Sequence, residues 1–157
     1  DRATERGYPT IERSVGGRAV VHTDGTLAVA HITGVAAERA DVEGRYERFL
    51  STLTEGLEAC DVSVDHGEPP DSFCPGSHSL STGGRKVAGV AQRVHSDVAV
   101  VSAILVVRNH TTVAEVLAPI YTELSIPFDT ASVGSLAGVG GPADPEAVGN
   151  HIIAAFR

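Results

Sequence analysis

Basic residues are scarce in this sequence of 157 residues, and lysine is almost missing. Lysine and arginine together number 12 against 20 aspartates and glutamates, which gives a formal net charge of −8. Proteins that bind a phosphate backbone rely on clustered lysines and arginines, whereas the arginines here are dispersed along the chain. The composition therefore argues against a nucleic-acid partner and favours solubility.

Long apolar segments are also missing. No run approaches the roughly 20 apolar residues of a membrane span, and the first residues are polar, so we expect neither a membrane anchor nor a signal peptide. A soluble, cytoplasmic protein is the expectation. Methionine is absent even at position 1, from which we expect a chain that begins after processing or is one piece of a longer product.

The common cofactor motifs are absent as well. Neither G-x-x-x-x-G-K-[ST] nor G-x-G-x-x-G occurs, and the histidines lack the clustered spacing of a metal site. We therefore predict no bound metal, and a nucleotide would have to be held in some other way. The two cysteines, Cys60 and Cys74, could pair, but a disulfide is the less expected use of cysteine in a cytoplasmic protein.

The apolar periodicity predicts an α+β fold in which a mixed or antiparallel β-sheet is covered by helices. The length fits one domain over residues 1–157. Two strands at 17–21 and 27–32 are predicted to form a β-hairpin around an Asp-Gly turn, with His22 at its tip. Further strands are predicted at 62–64, 86–94 and 98–107, and helices at 39–60, 111–124, 129–136 and 144–156.

Local signals refine these helices and one connection. Thr111 or Thr112 should cap the second helix, which Pro119 should kink or shorten, and Pro145 suits the first position of the last helix. The stretch at 65–84 is rich in Gly, Pro, Ser and Asp and is longer than an ordinary connection. Because it also contains apolar and reactive side chains, we predict a functional loop.

Lys86 is the only lysine, against eleven arginines, and it lies in a glycine-studded segment at 83–89. Lysine offers a compact point charge on a flexible stem with three rotatable donors, which a guanidinium cannot offer. A lone lysine on a solvated strand needs no function, so its surroundings decide between these interpretations. Cys74 lies twelve residues upstream, and a second glycine-rich segment lies at 13–22.

Cys74 precedes a Pro-Gly pair in the predicted loop, so we expect it to be partly exposed. A cysteine attacks as its thiolate, which nearby positive charge stabilises. Inert structural cysteines are the common alternative, and Cys60, at the end of a predicted helix, is expected to be a core residue. The residues that could supply positive charge to Cys74 are Lys86, Arg85, His22 and His78.

Two blocks of sequence carry a resemblance. The first is Arg-Ser-Val-Gly-Gly-Arg-Ala-Val-Val-His at 13–22, and the second is Ser-Phe-Cys-Pro-Gly at 72–76 followed by Gly-Arg-Lys-Val-Ala-Gly-Val-Ala-Gln-Arg at 84–93. Together they resemble the lipoate–protein ligase and octanoyltransferase family, whose superfamily includes biotin protein ligase. The resemblance runs from about Arg6 to the C-terminus. Gly-Gly-Arg-Ala-Val and the Cys-Pro-Gly loop are similar to the cysteine-dependent octanoyltransferase branch.

The resemblance implies the catalytic-domain fold of the biotin and lipoate protein ligases. It also implies transfer of an octanoyl or lipoyl group to the lysine of a lipoyl carrier protein, with Cys74 carrying the acyl group as a thioester and Lys86 holding the acyl carbonyl. No cofactor is required, because the incoming acyl group is already activated. The residues implied to bind substrate are Arg13, Gly16, Gly17, Arg18, Ala19, His22, Gly76, Gly89 and Ala91.

The implied partner is a lipoyl carrier domain, either the glycine cleavage H protein or the E2 component of a 2-oxoacid dehydrogenase. Acyl carrier protein is another candidate donor. Two alternatives stay open. One is an ATP-dependent lipoate–protein ligase, which forms a lipoyl-adenylate and requires ATP, magnesium and lipoate. The other is a non-catalytic module that binds the acyl group or the carrier.

The sequence departs from the family pattern in two places. Ser79-Leu80-Ser81 stands where the transferases commonly have Asp-Leu-Ser, which weakens a carboxylate role there. Family members also generally have several dozen residues before the first block, including strands and a helix that complete the sheet and the acyl pocket. We therefore expect a single catalytic domain that lacks its N-terminal part, which a second polypeptide would complete.

Overall fold

The computed structural model describes residues 2–13, 17–34 and 41–157, and this part of the chain forms one sheet with helices packed against it. The strands are β1 (Thr26–Gly34), β2 (Asp65–His66), β3 (Ser79–Thr82), β4 (Arg85–His95) and β5 (Val98–Val106). The α-helices are α1 (Val42–Glu58), α2 (His110–Glu123) and α3 (Pro145–Ala155), with short 3-10 turns at Thr4–Arg6, Thr130–Ser132 and Ala137–Val139. None of the helices in the described ranges has the length and apolar character that crossing a membrane requires.

The five strands lie in the order β1-β5-β4-β3-β2, and every neighbouring pair is antiparallel. The centre of the sheet is the hairpin of β4 and β5, whose turn uses Ser96 at a φ of +51°. Since hairpins between long β-branched strands form from local signals, this part follows the prediction from sequence. The predicted α+β class is confirmed, and the sheet is antiparallel.

The two faces of the sheet pack against different helices and form two separate apolar clusters. On one face, alternate residues of β5 (Val101, Ala103 and Leu105) pack with α1 and α3 in the main hydrophobic core. The side chains that α1 and α3 contribute to it are Phe49, Leu50, Leu53, Leu57, Val148 and Ile152. On the other face, Val106 packs with α2 in a second apolar cluster that also contains Phe73 and Tyr121. Two segments without regular secondary structure, one containing Val21 and one containing Phe73, pack in this second cluster.

The predicted first hairpin is wrong in one of its two strands. The turn is present, because the Thr26 amide donates to the Thr23 carbonyl at 3.2 Å, and β1 follows it. Residues 17–23, however, form no strand, and β1 pairs along its whole length with β5. Val21 instead packs in the second apolar cluster. A turn signal is local, whereas the strand that pairs with β1 lies far along the chain, so His22 is not at a hairpin tip.

Other boundaries also shift. The strand predicted at 62–64 lies at Asp65–His66, and β3 falls inside the predicted long loop, which is thereby reduced to 67–78. The segment predicted as a helix at 129–136 forms only the 3-10 turn at Thr130–Ser132. Val133, directly after this turn, is extended and forms a parallel bridge to Lys86 in β4.

The helices predicted from spacing and caps are largely correct. The side chain of Asp41 accepts a hydrogen bond from the Gly44 amide and begins α1, and Pro145 occupies the first turn of α3. Helix α2 differs, because its N-cap is Asn109 at a φ of +59° rather than Thr111 or Thr112. It also continues past Pro119, since the apolar residues buried on both sides of the proline offset the missing hydrogen bond.

Candidate active site

Cys74 lies in the loop 67–78 that connects β2 to β3, half-buried as predicted. Its φ is +45°, a left-handed conformation that residues other than glycine rarely adopt. Two hydrogen bonds hold it there. The Cys74 amide donates to the Tyr121 hydroxyl at 2.5 Å, and the Cys74 carbonyl accepts from the Lys86 ammonium at 2.8 Å. The cysteine backbone is thus fixed from both sides in a strained conformation, which is a common property of functional loops.

The sulfur of Cys74 faces two nitrogen donors from the first glycine block. The backbone amide of Arg18 lies 3.3 Å from Sγ, and Nη2 of Arg13 lies 3.5 Å from it. The Arg13 guanidinium also donates to the Arg18 carbonyl at 2.8 Å. This hydrogen bond fixes the guanidinium next to the Arg18 amide, the other donor to the sulfur. Fixed N–H donors next to a nucleophile are the groups that stabilise negative charge during acyl transfer.

Gly17 allows this close approach. Its φ is +113°, and a Cβ at this position would lie 2.5 Å from Nη2 of Arg13 and 2.8 Å from Sγ of Cys74. Any side chain would therefore displace the two groups that the segment brings together. Three neighbours of Gly17, including the predicted substrate-binding residue Gly16, lie outside the described residues.

Lys86 is completely buried under the Cys74 loop. Its ammonium donates to the Phe73 and Cys74 carbonyls, each at 2.8 Å, and to Oε2 of Glu68 at 3.4 Å. It also lies 5.1 Å from the centre of the Phe73 ring. Burial lowers the pKa of Lys86, and the negative charges of Glu68 and Cys74 partly offset that effect. All three ammonium protons therefore have acceptors in the loop.

A β-bulge next to Lys86 sets the direction of its side chain. Leu80 of β3 pairs with Ala88 of β4, whereas Ser81 pairs with Lys86, so β4 has one extra residue, Val87. Val87 and Ala88 both pack into the main core, and Lys86 is left on the opposite face beneath the loop. In a regular strand Lys86 would share the face of Ala88.

Glu68 is an acidic residue of this site that the sequence analysis does not single out. Its Oε2 accepts hydrogen bonds from the Gly76 amide at 2.6 Å and the Ser79 hydroxyl at 3.0 Å, in addition to the Lys86 ammonium. Its Oε1 accepts from the Ser72 hydroxyl at 2.7 Å. No local pattern distinguishes Glu68 from the other acidic residues, and its importance follows from the burial of Lys86, because a buried lysine requires an acidic partner.

Tyr121 of α2 is a second residue that the sequence analysis misses. Its hydroxyl donates to the Ala19 carbonyl at 3.0 Å and accepts from the Cys74 amide. Burial raises the pKa of Tyr121 to about 12, so the hydroxyl keeps its proton at neutral pH. Tyr121 therefore ties the first glycine block to the cysteine loop.

A cavity of about 380 Å³ opens beside Cys74, within the usual range for small-ligand sites. Small and apolar residues of β4 and β5 form much of its wall, and the polar side chains of Ser102 and Gln92 also line it. Of the residues implied to bind substrate, this cavity brings together Arg13, Gly17, His22, Gly76, Gly89 and Ala91.

Of the groups expected to supply charge to Cys74, His22 and His78 line the same cavity without being the cation at its sulfur. Arg85 is exposed, next to Lys86 in β4. His78 stacks on Tyr46 at a ring separation of 3.7 Å and lies 3.5 Å from a carboxylate oxygen of Glu43. His22 is exposed at the cavity. The cation in contact with the sulfur is instead Arg13, which the sequence analysis names only as a substrate-binding residue.

This architecture belongs to the class of lipoate–protein ligase catalytic domains. A solved lipoate-protein ligase A bound with ATP superposes with a TM-score of 0.78 at 17% identity, covering 98% of this chain and 59% of that chain. At that identity the likeness shows the fold. Residues 1–157 also match the family model for the lipoyl protein ligase A/B catalytic domain, and the chain belongs to this family.

Curated relatives lie in the transferase part of the family. The chain is 32% identical over 119 residues to the lipoyl-[GcvH]:protein N-lipoyltransferase of Listeria monocytogenes, covering 75% of this chain and 43% of the relative. It is 36% identical over 89 residues to the octanoyl-[GcvH]:protein N-octanoyltransferase of Geobacillus kaustophilus, covering 57% and 31%. The chain spans less than half the length of these relatives.

Proposed function

We propose that this chain is the catalytic part of an octanoyl- or lipoyltransferase that works through a thioester on Cys74. The observation that carries the proposal is the surroundings of the sulfur. Sγ of Cys74 lies at a cavity, in contact with the Arg18 amide and the Arg13 guanidinium. A structural cysteine needs neither a strained backbone nor two donors directed at its sulfur.

The first step forms the acyl-enzyme. The Cys74 sulfur attacks the acyl carbonyl carbon of the donor carrier, a carbon–sulfur bond forms, and the bond to the carrier nitrogen or sulfur breaks. The proton lost by the thiol accounts for the proton that the leaving group gains. In the tetrahedral intermediate, negative charge moves from sulfur to oxygen, and the Arg18 amide and Arg13 guanidinium, which contact the sulfur, are the donors proposed to stabilise that charge.

The second step reverses the first with a new partner. The amine of a carrier lysine attacks the thioester carbonyl, a carbon–nitrogen bond forms, and the carbon–sulfur bond breaks. The amine loses the proton that restores the thiol. With a thioester donor the acyl group enters already activated, and with an amide donor one amide bond is exchanged for another, so the cycle consumes no ATP and no redox equivalent.

The names of the relatives suggest the substrates. Both describe acyl transfer from GcvH to a protein nitrogen, one with lipoyl and one with octanoyl. We therefore propose the glycine cleavage H protein as donor and a lipoyl domain such as that of an E2 component as acceptor, with acyl carrier protein as another candidate donor. The cytoplasmic location and the second polypeptide expected from the sequence stay predictions.

The contacts of Lys86 bear on its expected role. An acyl carbonyl held by this ammonium would have to replace one of the acceptors that it already has, of which Glu68 at 3.4 Å is the most distant. Holding the acyl carbonyl stays a prediction for Lys86. The observed geometry supports a role in fixing the Cys74 loop, whose two consecutive carbonyls it binds.

The ATP-dependent ligase is less well supported by these contacts. A ligase would direct the Lys86 ammonium at the phosphate of an acyl-adenylate. In this chain the ammonium is occupied, and the carboxylate of Glu68 beside it would repel a phosphate. These contacts support the transferase over a ligase that holds an adenylate at Lys86.

Intact-protein mass spectrometry tests the proposal. Wild type, Cys74→Ala and the matched control Cys60→Ala are incubated without ATP with octanoylated glycine cleavage H protein or octanoyl-acyl carrier protein. We expect an octanoyl increment, released by hydroxylamine, on wild type and Cys60→Ala but not on Cys74→Ala. An increment that survives in Cys74→Ala contradicts the mechanism. Adenylate formation only after adding lipoate and ATP would indicate the ligase. Absence of both the octanoyl increment and the adenylate would indicate a binding module.

A further inference from the structure

The Glu68 carboxylate connects the two sides of the nucleophile loop. Its two oxygens accept from Ser72, two residues before Cys74, and from Gly76, two residues after it. The Ser79 hydroxyl at the start of β3 and the Lys86 ammonium of β4 complete four hydrogen bonds. The side chain is 22% exposed, so these bonds are made largely away from water. One carboxylate thus contacts the loop on both sides of the cysteine and the two strands β3 and β4.

Glu68 also provides the charge that a buried ammonium needs. Lys86 is 0% exposed, and its other two hydrogen-bond acceptors are neutral carbonyls. Within the described residues, the titratable groups that act on Lys86 are Glu68 and Cys74, and both favour its charged form. Since a thioester on Cys74 can carry no negative charge, Glu68 is then the only one of these two groups that still balances the ammonium.

We propose that Glu68 is a positioning residue of the acyl transfer, whose negative charge keeps the Lys86 ammonium and the Cys74 loop in one arrangement through both steps. The inference rests on the transferase function proposed above. Glu68 does not contact the sulfur and acts through Lys86 and the loop backbone. Its role therefore differs from that of Arg13, which touches the sulfur.

Replacing Glu68 by glutamine separates charge from shape. Glu68→Gln keeps the length of the side chain and one acceptor oxygen but removes the negative charge. We expect single-turnover acylation of Cys74 to slow roughly 100-fold at neutral pH, the scale of a misplaced reacting group. The matched control is Asp71→Asn, which neutralises an exposed carboxylate of the same loop and should leave the rate unchanged.

The pH profile distinguishes positioning by charge from a purely structural role. Glu68 raises the pKa of Lys86 against the larger lowering caused by burial. Without that carboxylate Lys86 loses its proton at lower pH, so the alkaline limb of the acylation profile should move to lower pH in Glu68→Gln. The free energy of unfolding of the variant should also begin to rise with pH earlier, because the unfolded lysine keeps its proton while the folded one has lost it.

Moving the carboxylate provides a second test. The Ser79 hydroxyl lies 3.0 Å from Oε2 of Glu68, so aspartate at position 79 brings a carboxylate next to that position. We expect Ser79→Asp to restore most of the acylation rate when combined with Glu68→Gln. In the wild-type background the same change should lower activity, because two carboxylates would then share one buried site.

The outcomes separate this inference from the function on which it rests. Absence of a thioester on the wild type contradicts the transferase, and the pH dependence of unfolding still reports whether Glu68 sustains the charge of Lys86. A normal rate and profile in Glu68→Gln overturns the inference, as does a slow variant with an unshifted profile that Ser79→Asp does not restore. If Glu68→Gln does not fold, recovery of folding and activity by Ser79→Asp supports the inference, and lack of recovery overturns it.

Discussion

The two faces of the sheet are built by different interactions although they share the same strands. Val101, Ala103 and Leu105 of β5 point into an apolar core with α1 and α3. Between them, Ser102 and Ile104 point to the cavity on the opposite face. The first face is stabilised by burial of apolar area, which tolerates changes that preserve volume. The second depends on hydrogen bonds to a few buried polar groups, which do not tolerate such changes.

Because the two faces rely on different interactions, stability and chemistry can be altered largely separately in this chain. A substitution on the apolar face should change the free energy of unfolding and leave acylation of the folded protein intact. A substitution that displaces the Cys74 sulfur should change acylation much more than the free energy of unfolding. A variant that changes both would reveal where the two faces are coupled.

Lys86→Arg should have the largest effect on the site face. Arginine keeps the positive charge, but its planar fork cannot donate to two consecutive carbonyls and Glu68 from the position of a point charge. We expect acylation of Cys74 to fall by about 100- to 1,000-fold, the scale of losing a catalytic hydrogen-bond donor. The matched control is Arg85→Lys, the exposed neighbour in β4, which should retain activity. Equal activity of Lys86→Arg and wild type would show that the site does not require the compact ammonium of a lysine.

Gly17→Ala should have the next largest effect. The added methyl would meet Nη2 of Arg13 and Sγ of Cys74, so both must shift. We expect acylation to slow roughly 100-fold, as a displacement of about 1 Å does at other active sites. Gly140→Ala is the control, because Gly140 also has a positive φ, +86°, but nothing within 4 Å of the added atom. Comparable activity losses in both variants would show that backbone strain, not contact with the sulfur, is responsible.

The smallest effects should come from removing one methylene on each face. Ile152→Val, in the core at α3, should lower the free energy of unfolding by about 0.5–1.5 kcal/mol in urea titrations without changing acylation. Ile104→Val, at the cavity, should destabilise less and instead change the apparent KM for the acyl donor. The same isoleucine-to-valine change thus measures stability on one face of the sheet and substrate binding on the other. A shift in KM from Ile152→Val would contradict their independence.

The sequence predicts the elements of this fold better than their pairing. The apolar spacing of α1 and the proline at the start of α3 place both helices correctly, since these signals act within a few residues. The turn before β1 is also correct, but its presumed partner strand is not, because residues 17–23 are held by contacts to Phe73 and Tyr121 from distant segments. Pairing depends on such burial, which local patterns do not contain.

The same limit applies to the site. Cys74 and Lys86 stand out in the sequence because one precedes a Pro-Gly pair and the other is the only lysine, and the structure brings them within hydrogen-bonding distance. Glu68 and Tyr121 have no comparable local signal, since glutamate in a polar loop and tyrosine in a helix are ordinary. Their importance arises from tertiary contacts with the cysteine loop.

The bulge at Val87 has a consequence for transplanting this site to another scaffold. The extra residue reverses the alternation of β4 at one point, so that an ammonium and two core residues occur in succession. A designer who copied the cysteine loop and the lysine onto regular strands would direct the ammonium into the apolar layer. The bulge must therefore be copied together with the two reactive residues, because it directs the lysine side chain to the face of the sheet that the cysteine loop covers.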